Sequence, residues 1–522
     1  MPELGQIEQE VVTPSPGKVN IIIPLNSRHS QFRDNGQFMH KHFSPALWAG
    51  ACLFTVGVAI IYSSSYFFIF DDTSIVTWAK NLTVTDIFSR PVIGFYRPGG
   101  ILLAKIQYHL FGWDKAFGFS FVSILTHSLS VTIFYHLLLE LDFDPLAATM
   151  SALLFLASPW ATEATLWFSA QFDIFSVFFG LLTLLLLSHQ VKSNKLHFLL
   201  AACGTFTLAL TFKENAIILP AIIFLILGFQ HQLSWRRFAL LLAPFGVISV
   251  IYLIVRSYYL PNLGGAYGDL FSVYRNADIL SSIAIFIKAF LFLDTRIHTS
   301  LHYFAFLYTG GVLVCIGAVI TRPRILIATL LLFCIAMAPV AWMTINPQTT
   351  SGGRILYAPG ILWSFLIGIG GSILWNQANL SRRWPGPIQA KSILAILLPG
   401  ILTLAYSSTL SQISSWRFAT HFAKNTVDFI LSSPDISHPC VQVTNLPSMT
   451  SEGPFLFKSY NLSHHFRERG HPQEIKFSAN TVIISANRAD EILAGGPDVF
   501  SSPCPTPNPF PLTLPLGQLR PD

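Results

Sequence analysis

A series of long apolar runs, separated by short polar loops, decides what this chain can fold into. The runs lie near Ala46–Phe70, Ala116–Leu139, Leu146–Leu156, Phe172–Leu187, Leu196–Thr211, Ala216–Phe229, Phe238–Val255, Phe304–Ile320, Ile325–Met343, Ile355–Trp375 and Ile393–Ala405. A helix of about 20 apolar residues crosses a bilayer, so the pattern predicts an all-α polytopic membrane protein with about 11 transmembrane helices. Composition agrees: 52% of residues are hydrophobic and only 11% charged, against about 25% charged in soluble domains. Ile279–Leu293, apolar apart from Lys288, predicts an additional helix lying at the interface.

The basic residues set the topology. Lys192/Lys195, Arg236/Arg237, Arg322/Arg324 and Arg382/Arg383/Lys391 all fall on one side if the spans alternate. Short loops rich in Lys and Arg stay in the cytoplasm. The N-terminus therefore belongs there, and the polar first 45 residues read as a tail ahead of a retained first helix rather than a cleaved signal. The net charge of +6 is scattered through loops instead of forming a stripe, which argues against nucleic acid.

After Ser411 prolines, serines and charges rise. Ser414–Ile430 predicts an amphipathic helix, and Val441–Val443 and Thr481–Ser485 predict strands, before a Pro-rich end at Pro503–Pro515. The expected division is a tail at 1–45, a membrane domain at 46–410 and a small extracytoplasmic C-terminal α/β domain at 411–522. Cys52, Cys203, Cys315 and Cys334 sit in apolar runs and read as buried thiols, whereas Cys440 and Cys504 are a candidate pair.

The loops opposite the basic ones carry the chemistry. Asp71-Asp72 follows the first apolar run, and acids at the C-terminal end of a helix run against its dipole. Such a pair suits a general base or a divalent-cation site. Arg90, Tyr96 and Arg97 come next in a Pro-rich loop. Glu163, Gln171 and Asp173 flank a Trp- and Phe-rich segment at the head of an apolar run, and ionisable groups at membrane depth usually serve function. Lys213-Glu214 is wedged between two runs: a self-neutralising turn, or a phosphate contact beside a sugar contact. Arg354 and Tyr357 begin another helix, where backbone N–H groups suit an anion. No Walker-type loop is present, which disfavours an ATP-driven pump.

The order of these motifs is an acid pair after the first helix, an Arg-Pro-rich loop, Pro-x-x-Thr-Glu before an Asp, Lys-Glu between helices and Arg-x-x-Tyr-x-Pro. It resembles the GT-C superfamily of membrane glycosyltransferases, in particular the protein O-mannosyltransferase and TMTC-like group with its bacterial relatives. The likeness runs from about Ala46 to Tyr406. It departs at Ser158-Pro159, where relatives often have His-Pro, and at Ala170-Gln171-Phe172-Asp173, where they have Gly-Arg-x-Asp.

The resemblance implies inverting transfer of a hexose from a polyprenyl-phosphate donor to a glycan, lipid or protein hydroxyl. The expected location is a bacterial inner membrane with the site on the periplasmic face. Asp71, with Asp72, is then catalytic. Arg90, Tyr96, Arg97, Glu163, Gln171, Asp173, Lys213, Glu214, Arg354 and Tyr357 are the expected substrate contacts. A divalent cation is a candidate cofactor, with Asp71, Asp72 and Asp173 as its ligands. Two rival readings are a lipid-linked sugar flippase and a non-catalytic scaffold that binds sugar lipid.

Overall fold

A computed structural model gives the fold. It describes residues 49–62, 66–230, 234–291, 302–343, 345, 352–380 and 387–433, and beyond these only short stretches between 441 and 513. The N-terminal tail, Cys440, Cys504 and most of the Pro-rich end lie outside the described residues.

The first helix, α1, is Ala49–Tyr62. An irregular segment, Tyr66–Ile69, leads to α2 (Asp72–Asn81), α3 (Val84–Ser89) and α4 (Pro98–Phe111). The bundle continues with α5 (Phe117–Glu140), α6 (Pro145–Leu156), α7 (Thr162–Leu166), α8 (Gln171–Ser193), α9 (Leu196–Phe212), α10 (Leu219–Gln230) and α11 (Trp235–Tyr259). It closes with α12 (Leu270–Asn276), α13 (Ile279–Leu291), α14 (His302–Ile320), α15 (Pro323–Met337), α16 (Tyr357–Leu380) and α17 (Pro387–Ser432). Among the described residues six helices are long and apolar enough to cross a membrane, or seven if the bent pair Pro145–Leu156 and Pro159–Leu166 is one span. The chain is an integral, multi-pass membrane protein of all-α polytopic type.

Local rules set many boundaries. Pro145 and Pro323 occupy the first turns of α6 and α15, where a missing N–H costs nothing. Thr83 and Asp86 form a reciprocal capping box that starts α3. Small residues bring helices close, as membrane packing requires: a Cβ at Gly368 would strike Ser151 of α6, and one at Gly370 would strike Cys315 of α14.

Two sequence expectations change. The apolar run Ala46–Phe70 is not one helix. Helix α1 is described as far as Tyr62, the chain is non-helical over Tyr66–Ile69, and the acids belong to the next helix, with Asp71 at the N-cap of α2 and Asp72 in its first turn. They thus lie with a helix dipole rather than against one. The predicted amphipathic helix at Ser414–Ile430 is not separate either, because α17 runs unbroken across Ser411. Its distal half packs Trp416, Phe422 and Val427 into one core with Phe67, Phe68 and Ile69.

Beyond α17 the described residues contain short strands. β1 (Val441–Thr444) pairs in parallel with β5 (Phe510–Thr513). β3 (Asn480–Ile484) lies between β2 (Pro447–Thr450), to which it is parallel, and β4 (Ile492–Pro497), to which it is antiparallel. β1 and β3 coincide closely with the two strands expected from sequence.

Candidate active site

The two adjacent acids have different surroundings. Asp72 is completely buried. Its Oδ2 accepts from the Tyr66 hydroxyl (3.1 Å) and the Ile69 N–H (3.2 Å), while its Oδ1 accepts from the Ser169 N–H (2.9 Å) and hydroxyl (2.5 Å). Burial pushes its carboxyl up to about 7, against the pull of these hydrogen bonds. Burial, with Asp72 alongside, also holds the Tyr66 hydroxyl well above its usual value, so it stays a donor. Asp72 was expected beside Asp71 at the reacting centre. Instead it ties the segment after α1 to the turn before α8, with no surface left for a substrate.

Asp71 is half-buried, at the outer edge of that tie. Phe70, just before it, has φ of 47°, a left-handed conformation that costs a bulky residue energy and persists only when neighbours hold it. The Phe70 N–H donates to the Leu456 carbonyl at 2.9 Å. The Phe70 ring meets Trp167 at 6.0 Å, and the Arg354 guanidinium lies 4.5 Å over the same Trp167 ring. One aromatic side chain therefore joins the neighbour of Asp71 to a cation from a distant part of the chain.

That cation is one of several paired with carboxylates. Arg354 reaches Glu163 at 2.7 Å through its side chain and at 3.3 Å through its backbone N–H. The turn depends on Gly352, whose φ of 85° suits glycine. Lys213 meets Asp173 at 2.5 Å. Arg97 holds Glu214 with two bonds, of 2.6 and 3.0 Å, and Arg256 approaches the same Glu214 at 3.6 Å. Burial alone would raise the Glu214 carboxyl, but Arg97, Arg256 and Lys213 hold it at about 2.

Asp173, Lys213, Arg354, Asn215 and Tyr357 line a cavity of about 390 Å³. The rest of its lining is overwhelmingly hydrocarbon from α5, α8, α10, α15 and α16, and among the described residues its only other charged lining residue is Arg324 at the start of α15. It is an apolar groove with a polar head.

Other expected contacts lie elsewhere. Arg90 is exposed and pairs with Asp86 at 3.4 Å, a surface contact of small energetic weight. The Tyr96 hydroxyl donates to the Phe88 carbonyl at 3.1 Å, and its ring stacks on Tyr259. Tyr357 reaches the groove, but its hydroxyl is 2.9 Å from His127 Nδ1. Gln171 is completely buried, and its amide has no hydrogen-bond partner among the described residues. The three acids expected to hold a cation do not suit one, since Asp72 is surrounded by donors and Asp173 is taken by Lys213. Among the described residues no group of three or more His, Cys, Asp or Glu side chains gathers to hold a metal.

Arg256 and Asn215 join the site residues although neither was among the expected substrate contacts. Arg256 carried a signal: a charge at the end of an apolar run, here only 2% exposed. Asn215 adjoins the Lys-Glu pair that was read. Ser169 and Tyr66 carried no signal, because only the fold brings them to Asp72.

Residues 91–260 match the family described as dolichyl-phosphate-mannose-protein mannosyltransferase. That segment, less than half of the chain, contains Arg97, Glu163, Asp173, Lys213, Glu214 and Arg256. No curated protein matches the chain significantly in sequence. Among solved structures, the archaeal oligosaccharyltransferase AglB from Archaeoglobus fulgidus, in complex with an inhibitory peptide and a dolichol-phosphate, aligns with a TM-score of 0.50 at 14% identity. The alignment covers 84% of this chain but only 64% of AglB. ArnT from Cupriavidus metallidurans aligns in its apo state (TM-score 0.47, 13% identity, 82% of this chain and 85% of ArnT). It also aligns bound to undecaprenyl phosphate (0.45, 14%, 82% and 86%). The fold is one shared with AglB. Over residues 91–260 the chain resembles the dolichyl-phosphate-mannose-protein mannosyltransferases.

Proposed function

We propose that this protein transfers a sugar from a polyprenyl-phosphate donor to an acceptor hydroxyl on the extracytoplasmic side of the membrane. The observation that carries this reading is the groove, with hydrocarbon walls for an isoprenoid tail and Lys213 and Arg354 at the head for a phosphate. Asp71 then removes the proton from the acceptor hydroxyl. The hydroxyl oxygen attacks the anomeric carbon from the face opposite the phosphate, and the bond from that carbon to the phosphate oxygen breaks with inversion. The lipid phosphate leaves with the electron pair, and its charge meets Lys213 and Arg354. The donor enters laterally from the bilayer, so no nucleotide-binding domain is needed. No step requires a cation held by Asp72 or Asp173.

Eleven crossings, a membrane domain at 46–410 and a C-terminal α/β domain from 411 to 522 complete the proposal, in a bacterial inner membrane with the acids on the periplasmic side. A flippase would need polar groups along its path. Among the described residues the groove's charges are instead Arg324 and the cluster at the head, which favours transfer. The deciding test incubates purified protein in lipid with a panel of polyprenyl-phosphate sugars and acceptors. Transfer with release of the lipid phosphate supports the reading. Donor binding without transfer or hydrolysis for every sugar would leave a scaffold, and movement of intact donor across the bilayer a flippase.

A further inference from the structure

The segment that carries Asp71 is held from outside the membrane bundle. Phe67 to Phe70 form no helix, and Phe70 adopts a left-handed conformation, so this stretch cannot hold its own shape. Two backbone groups in it are gripped by the C-terminal segment. The Phe70 N–H donates to the Leu456 carbonyl at 2.9 Å, and the Phe68 carbonyl lies 3.0 Å from His465 Nε2.

His465 is completely buried, and its ring stacks on Phe67 at 4.4 Å and stands edge-on to Trp113 at 5.5 Å. A carbonyl only accepts, so Nε2 carries the proton. Nδ1 is buried without a hydrogen-bond partner among the described residues, which fits a neutral ring. Arg469 adds a contact over Phe67 and an ion pair to Asp428 of α17, while Glu468 pairs with Lys80 near the end of α2. The grip therefore joins the acid loop to two rigid helices.

We infer that His465 is a positioning residue for Asp71: by holding the Phe68 carbonyl and the Phe67 ring, it fixes the loop on which the general base stands. The inference rests on the transfer reading for its consequence in turnover. The loop meets the groove head through Phe70, Trp167 and Arg354, whereas His465 grips its backbone on the side of the C-terminal segment, so the expected loss falls on kcat rather than on KM for the donor. Misplacing a reacting group by about 1 Å costs on the order of 100-fold in rate.

The test compares wild type with His465→Ala, His465→Phe and His465→Gln. Transfer kinetics are measured with polyprenyl-phosphate sugar, and hydrogen exchange is followed at the Ile69 and Phe70 amides. For His465→Ala we expect kcat to fall roughly 10- to 100-fold with KM for the donor unchanged, and faster exchange at both amides than in wild type. His465→Phe keeps a ring but lacks the donor, so its kcat stays low. His465→Gln supplies an N–H near the lost Nε2 and recovers most of kcat.

A wild-type kcat in His465→Ala overturns the inference. So does a loss that appears only in KM, or one that His465→Gln and His465→Phe share equally. If wild type transfers no sugar at all, the transfer reading fails, and hydrogen exchange alone then decides. Unchanged protection of Ile69 and Phe70 in His465→Ala would show that His465 does not hold the loop.

Discussion

The acid loop and the cation cluster solve the problem of buried charge in opposite ways. In the cation cluster, part of which lines the groove, each cation meets a carboxylate: Lys213 with Asp173, Arg354 with Glu163, and Arg97 and Arg256 with Glu214. In the loop, Asp72 is satisfied by two backbone N–H groups and two hydroxyls. Paired charges can exchange partners, so an arriving phosphate can take over part of a guanidinium or ammonium that a carboxylate held. A hydrogen-bonded carboxylate deep in the protein has no such freedom. Under the proposed transfer, the cluster would respond to the ligand and the loop would stay still while Asp71 acts.

Asp71→Asn probes the contrast most sharply. It removes the base and leaves the Asp72 tie intact, so transfer should fall by about 100- to 10,000-fold with an unchanged melting temperature. Near-wild-type turnover would remove Asp71 from the mechanism.

Lys213→Ala and Arg354→Ala come next, at about 100- to 1,000-fold in kcat, if each meets charge developing on the leaving phosphate. Each also leaves a largely buried carboxylate unpaired, with a cost of about 3–5 kcal/mol for a fully buried pair. The double variants Lys213→Ala/Asp173→Asn and Arg354→Ala/Glu163→Gln should regain stability without regaining turnover. Thermal melts and kinetics on the same preparations separate the two effects.

Asp72→Asn should act mainly on stability. Its amide N–H groups would face donors, at about 1–3 kcal/mol for each group left unsatisfied. The pH dependence has a definite sign. The folded carboxyl is raised to about 7, so its contribution to stability is complete below the ordinary carboxylate range and is lost as pH rises through about 7. Melting curves between pH 4 and 8 should show this decline in wild type and not in Asp72→Asn. A parallel decline in both would assign it to another group.

The smallest effect belongs to Arg90→Ala. Its pairing with Asp86 is exposed, so a change within about 0.5 kcal/mol is expected, with unaltered transfer kinetics. A large kinetic effect would extend the site to the α3 surface.

Much of this was legible in the residues. Apolar length and the bias of Lys and Arg mark a multi-pass bundle, because hydrocarbon admits few other solutions. Charges that interrupt apolar runs marked Glu163, Asp173, Lys213, Glu214 and Arg354, since such charges are costly unless used. Tyr96 and Gln171 were equally conspicuous, yet one spends its hydroxyl on the Phe88 carbonyl and the other is buried, while Tyr357 lines the groove with its hydroxyl on His127. A short motif does not say which way a side chain faces.

By itself the sequence determined that the chain lives in a membrane and which of its residues are too polar to be there without a reason. Those facts follow from transfer energies, which each residue carries with it. Only the tertiary structure decided that Asp71 and Asp72, adjacent in the chain, meet different surroundings. Successive residues at a helix start point in different directions, and what each then meets comes from far away: Tyr66 and Ser169 for Asp72, and the Leu456 and His465 segment for the loop before Asp71. No local pattern records such partners, because they become neighbours only when the chain is folded.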